Sequence, residues 1–173
     1  QALVAVTWKA PEQIREGARA AIGIDAVNHY NFAFCGASGT GKSSLNNAIL
    51  GLKDTDEGAA KVDETEATME IRSYTHPKLK HVRFWDIPGA GTVNHRAKSY
   101  YLDKQLFTHD CLLIIGSGRF TEFDVRLAET AVRYGTPVAF VRSKADQDID
   151  NRADREDKSP SEVKDSVRKD IVA

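Results

Sequence analysis

With 173 residues the chain has room for one domain with a sizeable core and too little for two comfortable ones. Hydrophobic residues make up 41% and charged residues 28%, an ordinary globular balance, and a formal net charge of -1 gives no global field to recruit nucleic acid or anionic membrane. No window approaches the roughly 18 consecutive apolar residues of a membrane span, and no signal-peptide pattern is present.

The chain starts at Gln1 rather than Met and reads as a piece of something longer, so a lipidation signal at a true N-terminus is invisible. Pro11 suits a first helical position, and Ile14, Ala18 and Ala21 share a face, so PEQIREGARAAIGI predicts an amphipathic helix weakened by Gly17. NFAFC predicts a short strand ending at Gly36, and KSSLNNAILG a helix stopped by Gly51. After a charged stretch, TMEIRSY and HVRFWD alternate as strands do. CLLIIGSG is apolar throughout, the mark of a strand buried on both faces. Phe123, Leu127 and Ala131 predict a helix from about Thr121 to Tyr134. PVAFVRS predicts a fifth strand, and the charge-dense ADQDIDNRADREDK a loop. Ser159 and Glu162 form a capping box before a last helix whose buried stripe is Val163, Val167 and Ile171. Strands alternating with helices imply an α/β fold with a mostly parallel, doubly wound sheet and helices on both faces. Cys35 and Cys111 each sit in an apolar run and read as small buried hydrophobes of a reducing, cytoplasmic compartment.

Between the first strand and its helix lies GASGTGKSS, containing G-x-x-x-x-G-K-S. Its glycines let successive N–H groups turn inward on phosphate oxygens, and the following helix N-terminus adds partial positive charge. Lys42 would reach the β- and γ-phosphates, and the Ser43 hydroxyl would ligate Mg²⁺. The expected nucleotide-binding residues are Gly36, Ser38, Gly39, Thr40, Gly41, Lys42, Ser43 and Ser44. A glycine-rich turn with a solvated lysine is the bland alternative. It is disfavoured because strand, loop and helix fall where phosphate binding needs them.

FWDIPG closes the third strand: Asp86 stands where an acidic residue reaches Mg²⁺ through water, and Gly89 can approach a γ-phosphate closely. SKAD closes the fifth. Lys144 and Asp146 match N/T-K-x-D, with Ser143 at the variable first position. The Asp146 carboxylate is acceptor-only, and guanine offers it two donors, N1–H and the 2-amino group. Adenine offers an acceptor N1 and no 2-amino group, a mismatch that discriminates strongly. The three motifs in order make a P-loop NTPase G domain the expected fold and guanine nucleotide with Mg²⁺ the expected ligand.

Beyond these motifs, EGAAKVDETEATME, FWDIPGAGT, RFTEFD and FVRSKADQD resemble the immunity-related GTPases, interferon-inducible, dynamin-like proteins. The resemblance runs from about Tyr30 to Ala173. It implies GTP and GDP as substrate and product, a GTP-dependent homodimer or oligomer, and peripheral membrane association of the full-length protein through segments absent here. The chain reads as an N-terminal helical segment over 1–29 and a G domain over 30–173 that, by this resemblance, stops before the last strand and a C-terminal helical domain. Switch I would span roughly 58–69, with Glu66 on the family's switch glutamate and Thr68 on its metal-binding threonine. Val62 and Asp63 depart from the family's Thr-Gly, and Ala90 follows Gly89 in place of a larger aliphatic residue.

Small GTPases place a water-orienting glutamine just after D-x-x-G. Ala90 has neither donor nor acceptor, so catalysis falls to another group: Glu66 with Gly89 by resemblance, or His95, for which a solvated loop histidine is the favoured reading. Three functions remain: a GTPase activated by self-assembly, a nucleotide-gated binding module with negligible hydrolysis, and another P-loop enzyme, which SKAD disfavours.

Overall fold

Side chains alternate across the central strands and sort the interior into two halves. The computed structural model describes residues 12–62, 70–90 and 97–172, with side chains as far as residue 167. In chain order the elements are α1 (Glu12–Ala21), β1 (Tyr30–Cys35), α2 (Lys42–Leu50), β2 (Arg72–Thr75), β3 (Val82–Asp86), α3 (Ala97–Asp103), β4 (Cys111–Ser117), α4 (Glu122–Arg133), β5 (Val138–Ser143), α5 (Ala145–Glu156) and α6 (Pro160–Val172). A single 3₁₀ turn, Leu106–Thr108, leads into β4. The five strands form one sheet in the order β2-β3-β1-β4-β5. β1 pairs in parallel with β3 and β4, and β4 with β5, while β2 runs antiparallel on the edge of β3.

Ala33, Cys35, Trp85, Leu112 and Ile114 point to one face, where Tyr100 and Tyr101 of α3 and Leu127 and Ala131 of α4 cover them. Phe34, Phe84 and Ile115 point to the other, under Leu50 of α2. Leu112, Ile114 and Ile115 are all fully buried, so β4 is covered on both sides, as its unbroken apolar run implies. Each such side chain contributes about 1.5–3 kcal/mol, which makes these two faces the main source of stability. Helices on both faces of a mostly parallel sheet is the architecture expected from the sequence.

Several local expectations fail. ADQDIDNRADREDK is the helix α5 rather than a loop. Its narrow apolar face, Ile149 and Ala153, packs on Val163 and Val167 of α6, and Arg152 pairs with Glu156 one turn on. In α1, Ile14 remains 54% exposed. The helix docks instead through arginines: Arg15 Nε donates to the Phe107 carbonyl at 2.7 Å, and Arg19 Nη2 to Asp110 Oδ1 at 2.7 Å. Cys35 is buried, and burial pushes its thiol up, whereas Cys111 is only half-buried. The capping box at Ser159 survives in part. Its N–H and hydroxyl both donate to Glu162 Oε2, at 2.8 and 2.7 Å.

Candidate nucleotide site

β1 lies between β3, the next parallel strand along the chain, and β4, which the chain reaches on the opposite side. Open α/β sheets bind ligands in the crevice at such a reversal, beyond the strand C-termini. All three sequence motifs lie at this edge. Residues 36–41 carry the chain from β1 into α2. Gly36 has φ 131, and a Cβ there would lie 2.6 Å from the Ile115 carbonyl oxygen, so only glycine fits. Ser38 and Gly39 are exposed at the loop crest, Thr40 is buried and donates to the Ala37 carbonyl at 3.1 Å, and Gly41 caps α2. Ser43 and Ser44 are half-buried in the first turn of that helix.

Lys42 is buried, and its ammonium donates to the Ala37 and Gly36 carbonyls at 2.7 and 3.4 Å. Burial lowers its pKa, and the charge of Asp86 opposes that shift. Asp86, the last residue of β3, is only 2% exposed. Ser43 donates its hydroxyl to Asp86 Oδ2 at 2.7 Å, while Oδ1 is buried with no partner among the described residues. Burial raises the Asp86 pKa, and the Ser43 hydrogen bond and Lys42 pull it back. A buried carboxylate oxygen without a partner costs free energy unless something bound satisfies it. A hydroxyl and a carboxylate side by side are hard oxygen donors, a set that fits Mg²⁺.

The D-x-x-G segment continues alongside the phosphate loop. The Ala90 N–H donates to the Gly36 carbonyl at 3.2 Å, and Ala37 and Ala90 form a parallel bridge. A Cβ on Gly89 would stand 2.9 Å from Ser38 backbone atoms and 3.2 Å from Lys42 Nζ, so a side chain there would displace the loop. Tyr100 of α3 donates its hydroxyl to the Pro88 carbonyl at 2.9 Å and holds this segment from behind. Ala90 is buried and apolar.

At the other end of the crevice, the Ser143 hydroxyl donates to the Thr40 carbonyl at 2.6 Å, with the Gly116 carbonyl 3.2 Å away. The residue read as variable in SKAD thus ties that motif to the phosphate loop. Lys144 extends its ammonium to the Gly39 carbonyl at 3.3 Å. Asp146 is exposed in the first turn of α5, its side chain without a hydrogen bond among the described residues. Glu66, Thr68, Asp63 and His95 lie outside the described residues.

Sequence reasoning missed three buried polar residues around this crevice. Asn47 of α2 accepts from the Ala60 N–H at 2.7 Å and donates to the Ala60 carbonyl at 2.9 Å, fixing the chain ahead of residue 63. Asn46 is fully buried with neither amide atom partnered among the described residues. Asp124, within RFTEFD, closes a capping box with Thr121 and adds negative charge toward Lys42. Polar residues on an otherwise apolar helix face were the available signal for the two asparagines.

Comparison with known proteins agrees with this geometry. Interferon-inducible GTPase 1 of Mus musculus is 39% identical over 124 residues, covering 72% of this chain and 30% of that protein. T-cell-specific guanine nucleotide triphosphate-binding protein 2 of Mus musculus is 37% identical over 141 residues, covering 82% of this chain and 34% of that one. The chain therefore spans about a third of the length of these relatives. Among solved structures, mGMPPNP-bound NFeoB from S. thermophilus shares the fold, with TM-score 0.53 and 21% identity over 71% of this chain and 46% of that one. Residues 14–173 match the interferon-inducible GTPase (IIGP) family, and the chain belongs to it.

Proposed function

We propose that this chain is the nucleotide-binding core of a GTPase that hydrolyses GTP to GDP and phosphate in innate immunity, with turnover raised by self-assembly. The carrying observation is the set of buried Lys42 and Asp86 with half-buried Ser43 beneath a glycine-rich loop, with Asp86 Oδ1 lacking a partner among the described residues. In this reading the backbone of residues 36–44 cradles the phosphates, and Lys42 turns from its own loop's carbonyls to the β- and γ-phosphate oxygens. Ser43 and Asp86 hold Mg²⁺, which neutralises phosphate charge when bound. Thr68 completes the metal set, Gly89 offers its N–H to the γ-phosphate, and Asp146 accepts from the guanine edge beside the Lys144 stem. The full-length protein works in the cytoplasm as a GTP-dependent homodimer or oligomer, associating with membranes through segments beyond this domain. No described helix is long and apolar enough to cross a membrane. The helical lead-in over 1–29 and the G domain over 30–173 belong to the same reading.

Base choice tests it most directly. Calorimetry should give tight GTP and GDP binding and weak ATP binding, and Asp146→Asn should exchange guanine for xanthine nucleotides, because an amide donates where the carboxylate accepts. Equal ATP and GTP affinities would sink the guanine assignment. A second reading, a nucleotide-gated module with negligible hydrolysis, draws on buried, apolar Ala90 in the water-orienting position. Single-turnover hydrolysis over a range of protein concentrations separates the two. A rate per molecule that rises with concentration supports the self-assembling GTPase, with Glu66 as the water-orienting or cross-subunit group. A flat, near-zero rate supports the module.

A further inference from the structure

Lys144 stands at the turn from β5 into α5 with φ 54, a left-handed conformation that a lysine keeps only where its surroundings impose it. Two contacts flank that residue. On the sheet side, Ser143 donates to the Thr40 carbonyl at 2.6 Å. On the outer side, Arg142 reaches across the turn to Asp148, its Nη2 and Nε donating to one carboxylate oxygen, Oδ2, at 2.8 and 3.2 Å. The Arg142 and Asp148 side chains are 15% and 35% exposed, against 64% and 78% for the surface pair Arg126–Glu122. Partial shielding strengthens the first pair relative to the second. The Asp148 N–H also donates to the Lys144 carbonyl at 3.2 Å, so the same residue closes the first turn of α5.

Between these anchors, the exposed Asp146 side chain has no side-chain hydrogen bond among the described residues, so the backbone turn that carries it decides where it can reach. A carboxylate that must meet two donors on a planar base edge loses discrimination when its backbone wanders. We propose that the Arg142–Asp148 pair is a positioning brace for guanine discrimination: it locks the left-handed turn at Lys144 and thereby aims Asp146 at the base. The pair spans residues 142–148 and brackets Lys144 and Asp146, the two residues read as facing the base. This inference rests on the guanine reading of the site.

The test compares GDP, IDP (which lacks the 2-amino group) and ADP by calorimetry on the whole chain. Asp148→Asn and Arg142→Gln should compress the GDP-over-IDP preference on the order of tenfold, the scale of one charge-assisted hydrogen bond, and leave ADP affinity unchanged. A brace that only stabilises the fold would lower Tm and leave the GDP-to-IDP ratio untouched, and that result overturns the proposal. Should these variants fail to fold, Arg142→Lys keeps the charge but loses the two-donor geometry, and must compress the ratio by a smaller factor. An unchanged ratio there also overturns it. A wild-type chain that does not prefer GDP to ADP removes the guanine reading itself, a failure distinct from selectivity that survives loss of the brace.

Discussion

The two ends of the sheet treat buried polar groups in opposite ways. At the N-terminal end of β1, Asn31 is fully buried and saturated: its Nδ2 donates to the Asp25 and His29 carbonyls at 3.0 Å each, and its Oδ1 accepts from Trp85 Nε1 at 2.9 Å. Its N–H donates to Asp110 Oδ2 at 2.8 Å, and Asp110 in turn holds Arg19 of α1. At the C-terminal end, among the described residues, Lys42 bonds only its own loop, Asp86 Oδ1 has no partner, and Asn46 has none for either amide atom. Both ends bury polar atoms to a similar degree. Saturation therefore marks the end whose polar groups serve the fold, and unsaturation the end where we propose that the nucleotide binds.

The comparison breaks most visibly at Lys42. Lys42→Ala should lower GDP affinity by three orders of magnitude or so, about 4 kcal/mol. Folding stability should change by less than about 1 kcal/mol, because relief of a buried charge offsets the two lost hydrogen bonds. A large loss of Tm with retained GDP binding in calorimetry would reverse the assignment of the two ends. Asn31→Ala should show the converse. It strands Trp85 Nε1 and two carbonyls in the interior and costs about 3 kcal/mol in urea unfolding, while the folded fraction binds GDP as before.

A smaller effect sharpens the contrast, because the saturated end has one exception. His109 is fully buried with Nε2 unpartnered among the described residues, its ring edge-on to Trp85 at 5.6 Å, and burial lowers its pKa to about 4. The unfolded chain takes up the proton near the ordinary histidine value while the folded chain refuses it, so stability is fully present above about pH 6.5 and falls as pH drops. Between pH 6.5 and 5 the loss should be about 2 kcal/mol. His109→Phe should flatten that slope in urea titrations, and an unchanged slope would place the titration elsewhere.

Local chemistry is what a sequence displays, and the phosphate loop is local: strand, glycines, lysine and helix lie within residues 30–50. The placement of SKAD and D-x-x-G at strand ends was legible for the same reason, as was β4 from its unbroken apolar run. Asn31 was not, since its partners Asp110 and Trp85 lie 79 and 54 positions away. Nor was the helicity of α5, whose apolar face is narrow and becomes useful only against Val163 and Val167. Propensity was overridden by a tertiary partner. In α1 the apolar spacing was real, but arginine hydrogen bonds to the 3₁₀ turn decided which face turned inward. Ser143 looked interchangeable because its partner, the Thr40 carbonyl, belongs to a loop 103 positions earlier.

That hydroxyl has a thermodynamic consequence. By joining the loop at Thr40 to the loop at Lys144, it couples the two halves of the proposed nucleotide site, one for the base and one for the phosphates. A ligand that fills both halves surrenders its translational and rotational freedom once, whereas separate guanosine and pyrophosphate surrender it twice. The intact nucleotide should therefore bind far more tightly than the product of its fragments' affinities, by a ratio that reads as an effective concentration. Cutting the joint with Ser143→Ala would lower that effective concentration even where each half-site, probed by its own fragment, binds as well as before.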